Sequence, residues 1–461
     1  MKQYLKSLCV GLAAAASLLA ATESHALPAF ARQMGVGCST CHYQSFPLLN
    51  PFGRKFKASG FTLIGEKALE EMEEHMVGGE SSGLSIPFVL NAAIFTVWDY
   101  EKTNGVNDAG ETKKTANDGQ YDLPAEFTLF VGGRASENIG FIAEAGFVAR
   151  ETSSGGILGA VKIPMLWDVG MARVGAIPFS SGGVGPAHSF ETLNTGAVAV
   201  HTMMFGDHSN VYSAQQYLGT GTAASGVGFV AVNDMGFINL TKWSPNNATS
   251  GASPSANYLR IVATPPNLIQ GWDIGFGFQN WSGSELAVND PYDAVEDLPT
   301  PTNFDAKAWA VDAQFMGNVG NLPLGIFTSY GIAKASTCDA DGAVVSSNAN
   351  LYNSGCADIR AFGIGAQLAV VPHKFFLQLA YRNAKTPDPA GGAAGFNTLS
   401  DNAWSAGVVY KLAQNIKFSL SYTKASGSLY DSTDAGYPNA SAENGGGDGD
   451  SRFSFAFEAG L

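Results

Sequence analysis

The chain has 461 residues, with 40 acidic against 26 basic side chains, a formal net charge of -14, and an excess of Gly (55) and Phe (29). So acidic a polypeptide is a poor partner for nucleic acid, whose binding depends on Lys and Arg neutralising phosphates. Beyond the first 26 residues no run of about 18 apolar residues occurs, which excludes a bundle of transmembrane helices.

Residues 1–26 (MKQYLKSLCVGLAAAASLLAATESHA) combine Lys2 and Lys6, an apolar run from Leu8 to Ala21 and the small-residue site Ser24-His25-Ala26. They predict a secretory signal peptide, with a mature chain starting near Leu27. Residues 27–83 form a second unit. Cys38-Ser39-Thr40-Cys41-His42 fits c-type attachment of one haem c, the two thiols forming thioethers and His42 supplying the proximal iron ligand. A CxxC redox pair is the rival reading, and export favours the haem because covalent attachment takes place outside the inner membrane.

Candidate sixth ligands fall in two places. Glu66–Met76 reads as a helix carrying Met72, His75 and Met76, while the long segment 181–225, part of which is expected to fold inward, offers His188, His201, Met203, Met204 and His208. Arg54, Lys55 and Lys57 are available to haem propionates, to a negatively charged partner or to solvent. Pro47, Pro51 and Gly53 predict a turn-rich, partly helical segment. Residues 27–83 hold too little apolar sequence to enclose a haem unaided.

From residue 84 to 461 the pattern changes to segments of about ten residues that alternate apolar and polar, as in a transmembrane barrel. In KFFLQLAYR, Phe375, Leu377, Leu379 and Tyr381 share a greasy face opposite Phe376, Gln378, Ala380 and Arg382. About 16 such strands begin near 85, 123, 138, 155, 171, 226, 235, 256, 271, 306, 323, 357, 374, 402, 416 and 450. Connections after even-numbered strands are short, including Asn233-Asp234, Val371-Pro372-His373 and Gln414-Asn415. Most after odd-numbered strands are long, including 103–122, 181–225, 335–356 and 427–449. Short periplasmic turns and long outer loops produce that asymmetry, which a soluble β-protein does not require.

The fold expected is therefore all-β: an antiparallel outer-membrane barrel with a small N-terminal haem-bearing plug, lipid around it. Glu144, Asp273 and Asp312 have lumen parity, as cation guides or as solvation for the pore wall. Cys338 and Cys356 fall in one outer loop and are expected to pair in an oxidising compartment. The outer loop 427–450 is Gly-rich and acidic. A single haem outside one face cannot carry an electron across an apolar band about 25 Å tall, so the plug is expected to enter the lumen and close it.

LPAFARQMGVGCSTCHYQSFPLLNPFGRKFKASGF resembles the amino-terminal region of the fused monohaem cytochrome-porins of iron-oxidising bacteria. The matching positions are Ala31, Arg32, Gln33, Cys38, Cys41, His42, Pro47, Leu49, Gly53, Arg54, Phe56 and Lys57. The specific likeness covers residues 27–63; beyond them it is architectural. It implies an iron:cytochrome c oxidoreductase-like protein taking electrons from extracellular Fe(II) and passing them to a periplasmic cytochrome. The other expectation, from a different class, is a porin or solute transporter whose haem segment is a plug or sensor.

Overall fold

The computed structural model describes residues 29–65, 89–106, 119–148, 158–198, 203, 212–246, 254–287, 303–345, 349–391, 395–441, 444 and 446–460. The barrel opens with β1 (Val89–Thr103), β2 (Gln120–Arg134) and β3 (Gly140–Gly146). Strand β4 runs as Leu158–Lys162 and resumes as Met165–Val169, interrupted at Pro164, which has no N–H to give the ladder. Then come β5 (Ala172–Ser181), β6 (Ala224–Asn233), β7 (Gly236–Ser244), β8 (Ala256–Ala263) and β9 (Asp273–Ala287). β10 (Asn303–Val319), β11 (Leu322–Ala333), β12 (Ile359–Val371) and β13 (Phe375–Pro387) follow. The series ends with β14 (Thr398–Ala413), β15 (Ile416–Ser426) and β16 (Ser451–Gly460).

These 16 strands, all antiparallel, form a closed ring among the described residues. β1 closes it by pairing on both sides, Phe95 standing opposite Thr128 of β2 and Gly460 of β16. No free edge remains in the ring, so its backbone N–H and C=O groups are satisfied between strands, the condition for a sheet to live in lipid. A two-residue piece, Ala349–Asn350, attaches to β10 in parallel from a long loop and is not a stave.

Alternation sorts the side chains as expected. Leu379 is 64% exposed and Leu377 and Tyr381 face outward with it, whereas Phe376, Gln378, Ala380 and Arg382 are buried on the lumen side. Phe229, Leu240, Ile261, Phe276, Ile364 and Phe455 continue the outer apolar surface around the ring, and Trp404 packs beside Tyr422 with ring centroids 5.7 Å apart. An apolar outer surface with aromatic side chains within it is what a transmembrane barrel presents to lipid. The connections at 169–172, 233–236, 319–322, 371–375 and 413–416 are short and share one rim.

The core lies inside the ring rather than between layers. Residues 182–198 and 212–222 lie in the lumen on the long-loop side, where Ala187, Val198 and Leu218 join Trp243, Tyr258 and Trp281 of the wall. From the short-turn side, Leu48 of the N-terminal unit packs with Met203, Met316 and Phe327.

Candidate functional site

The N-terminal unit consists of α1 (Ala29–Met34), a 3-10 turn over Cys38–Thr40 and α2 (Pro51–Ala58). Helix α2 begins where its sequence says it should: Pro51 fits the first helical position, and Asn50 caps the end by accepting the Gly53 N–H at 2.9 Å. Its other amide hydrogens go to the Ser39 and Thr40 carbonyls. Gly53 is required by close approach, since a Cβ there would collide with the Cys41 carbonyl. The chain between doubles back on the motif: Tyr43 N–H donates to the Leu48 carbonyl at 2.7 Å and Asn50 N–H to the Cys41 carbonyl at 3.0 Å. Phe30 stacks on Phe61 at 4.8 Å and meets Phe56 edge-on, a small apolar centre of the plug's own.

The wall holds this unit at the short-turn rim. Cys38 N–H donates to Oε1 of Gln414 in the β14–β15 turn at 3.1 Å, and Lys417 Nζ donates to the Phe46 carbonyl. The Tyr43 hydroxyl reaches the Gly317 carbonyl near the end of β10, and Gln44 is bonded to the Pro323 carbonyl and to Gln367. Arg173 and Arg134 donate to the Ser59 and Thr62 carbonyls. Arg54 grips both carboxylate oxygens of Asp273 at 2.5 Å, a bidentate, charge-assisted pair. Of the alternatives open for these two residues, the structure shows Arg54 paired with the wall and Asp273 holding the plug. Lys57 is buried, its pKa pulled down to about 8 by that burial and partly restored by Glu191. Lys55 is exposed.

His42 lies at the centre of this arrangement. Its Nδ1 is 3.2 Å from the Leu48 carbonyl, which can only accept, so the ring proton sits on Nδ1 and Nε2 keeps its lone pair. The ring is half-buried, and the protein packed around it pulls its pKa down to about 4, with the Leu48 carbonyl opposing. Burial also raises both thiols, Cys41 to about 11, the reverse of an activated redox dithiol. Cys38 and Cys41 are not bridged to one another. A cleft of about 310 Å³ opens beside the ring, walled by His42, Tyr43 and Asn50 of the plug and by Asp273, Met316 and His373 of the barrel. Two unbridged thiols beside an imidazole whose Nδ1 is engaged fit the donor set of a c-type haem, while neither thiol lines the cleft.

The inward segment meets the plug at Asn194. Its side chain accepts the Leu49 N–H at 2.7 Å and donates to the Leu49 carbonyl at 2.9 Å, a reciprocal pair in the middle of the lumen. Glu191 and Asp312 both bind Arg260, and all three side chains are fully buried. Asp312 also accepts from Thr195, Gln215 and Gln279. Asp312 does face the lumen, but it is a structural anchor for the inward segment, not a free cation guide. Glu144 is half-buried on β3, opposite Ala160.

Met203 is buried against Leu48, Met316 and Tyr212, and the His188 ring packs beside Phe179; neither lines the His42 cleft. Met72, His75, Met76, His201, Met204 and His208 lie outside the described residues, as do residues 1–26. Cys338 and Cys356 are bridged in their long loop, Cα atoms 5.7 Å apart.

Arg260 and Asn194 went unnoticed in the sequence, although one had a signal: an arginine at lumen parity inside the apolar strand ANYLRIVA must find a buried partner. Asn194 carried none, because its partner is a backbone 145 positions away.

No family model and no curated protein matches the chain. Among solved structures, it is similar to a loop-deletion mutant of OmpT, an outer membrane protein of Vibrio cholerae, with TM-score 0.44 and 10% identity over 81% of this chain and 99% of that one. The outer membrane channel DcaP of Acinetobacter baumannii gives TM-score 0.45 and 13% identity over 81% and 97%. Salmonella typhi OmpF gives TM-score 0.45 and 12% identity over 81% and 98%.

Proposed function

We propose that the chain, exported by residues 1–26, is an outer-membrane electron conduit. Extracellular Fe(II) is the donor, a periplasmic cytochrome the acceptor, and one haem c on Cys38 and Cys41 with His42 as axial ligand the redox centre. The observation that supports this best is the CxxCH turn at the short-turn rim of a membrane barrel, with the His42 Nδ1 engaged by the Leu48 carbonyl. A haem bound there supplies reversible one-electron exchange.

The surrounding residues supply position and enclosure. Gln414, Lys417 and Asp273 hold the plug against the wall, and Leu49 and Asn194 join it to the inward segment. In barrels of this kind short turns face the periplasm, so on this reading the motif meets the soluble acceptor, and the electron from a donor at the long-loop rim has to cross the packed lumen to reach it. Asp431, Asp434 and Asp448 are exposed on the opposite, long-loop side, where their field favours approach of a cation. Fe(II) as the donor rests on the resemblance of residues 27–63.

Rapid anaerobic mixing of Fe(II) with the oxidised protein, read by haem absorbance, tests the reading: reduction is expected. Absence of covalently held haem, or a haem that Fe(II) leaves oxidised, refutes it. A second reading, a porin or solute transporter, is favoured by the closed 16-strand ring. Free passage of small sugars through proteoliposomes, with haem unresponsive to Fe(II), is the outcome that selects it.

A further inference from the structure

The CxxCH motif lies against the hairpin of β14 and β15, and the hairpin meets it with charge. Lys411 Nζ donates to the Gln44 carbonyl at 3.2 Å, two residues beyond His42. Lys417 Nζ donates to the Phe46 carbonyl at 2.9 Å, and the Phe46 ring packs edge-on against the His42 ring with centroids 5.2 Å apart. In the turn between the two lysines, Gln414 accepts the Cys38 N–H at 3.1 Å.

The strand register adds an independent observation. Lys411 of β14 stands directly opposite Lys417 of β15, and Lys417 directly opposite Glu458 of β16, whose carboxylate it meets at 2.9 Å. The three side chains form one row on the lumen face, with Lys411 and Glu458 buried and the Lys417 side chain 12% exposed. Like charges directly opposite each other destabilise a sheet. The hairpin nonetheless sets two lysines there, so the row carries two cations to one anion. Its charge reaches the motif: Lys411 acts on both Cys38 and His42, and Lys417 acts on His42. Arg54 of the plug, by contrast, is balanced by the carboxylate of Asp273.

We propose that this row tunes the reduction potential of the haem carried by the motif, Lys411 and Lys417 raising it and Glu458 lowering it. The proposal rests on the haem reading above. Oxidised haem iron bears one more positive charge than reduced iron, so a neighbouring ammonium group penalises the ferric state and a carboxylate favours it. Burial protects these charges from the screening that weakens surface ones. With two cations to one anion, the net effect of the row is a better electron acceptor.

The test is a redox titration, read by haem absorbance, of purified full-length holoprotein as wild type, Lys411→Gln, Lys417→Gln, Glu458→Gln and Lys411→Arg. Both lysine-to-glutamine changes should lower the potential, Glu458→Gln should raise it, and Lys411→Arg, which keeps the charge, should stay near wild type. Opposite signs for cation and anion removal are what a merely structural role would not produce, since loosening the plug moves every variant the same way. Should Lys411→Gln fail to fold, Lys417→Gln and Glu458→Gln decide by their signs. Potentials that do not move, or that all move in one direction, overturn the proposal. If the denatured wild type shows no covalent haem in its pyridine haemochrome spectrum, the haem reading falls and this one with it. That result is distinct from a haem that is present and indifferent to the row.

Discussion

The Leu48 carbonyl accepts a hydrogen bond from the Nδ1–H of His42, and Leu48 itself is buried in the lumen, so ring orientation is tied to the packing of the plug. Chemistry at the motif and contact with the wall are separable at the level of single residues. Replacing both Cys38 and Cys41 with Ser is expected to abolish haem staining of the denatured protein, while the barrel keeps its heat-dependent gel mobility. Gly53→Val acts differently, because its side chain has nowhere to go but into the Cys41 carbonyl. Overpacking of this sort costs about 1–3 kcal/mol. The plug should then become protease-sensitive at lower urea than in wild type, with the attached haem retained.

Among the elements, each strand answers to two solvents. Ile364 faces lipid halfway along β12, and arginine at such a depth costs about 2–4 kcal/mol. Ile364→Arg should lower the urea midpoint for unfolding from liposomes by the corresponding amount. The inward segment depends on charge instead. Replacing Arg260 with Met leaves Glu191 and Asp312 buried without their cation, a change of about 3–5 kcal/mol when one partner of a buried pair is removed. The segment should leave its seat, and single-channel conductance in planar bilayers should rise above wild type. An unchanged conductance would mean that this triad does not hold the lumen shut.

For the whole molecule, the plug from the short-turn rim and the segment from the long-loop rim meet at Leu49 and Asn194, so the interior is packed from both ends. Intact protein in liposomes is expected to swell far more slowly in small sugars than an open 16-stranded channel. Swelling at the open-channel rate would count against the double closure. The period-two pattern of KFFLQLAYR, the alternation of short and long connections and the CxxCH at residues 38–42 determined, by sequence alone, the ring, the grouping of its short turns on one rim and the CxxCH motif. These are local properties: side-chain parity along a strand, loop length, and neighbours within five residues. Sequence could not decide that Arg54 and Asp273 would bind each other, that Asp312 would anchor the inward segment, or that His42 and His373 would share one cleft. Those groupings join positions far apart in the chain, and only the closing of the barrel brings them together.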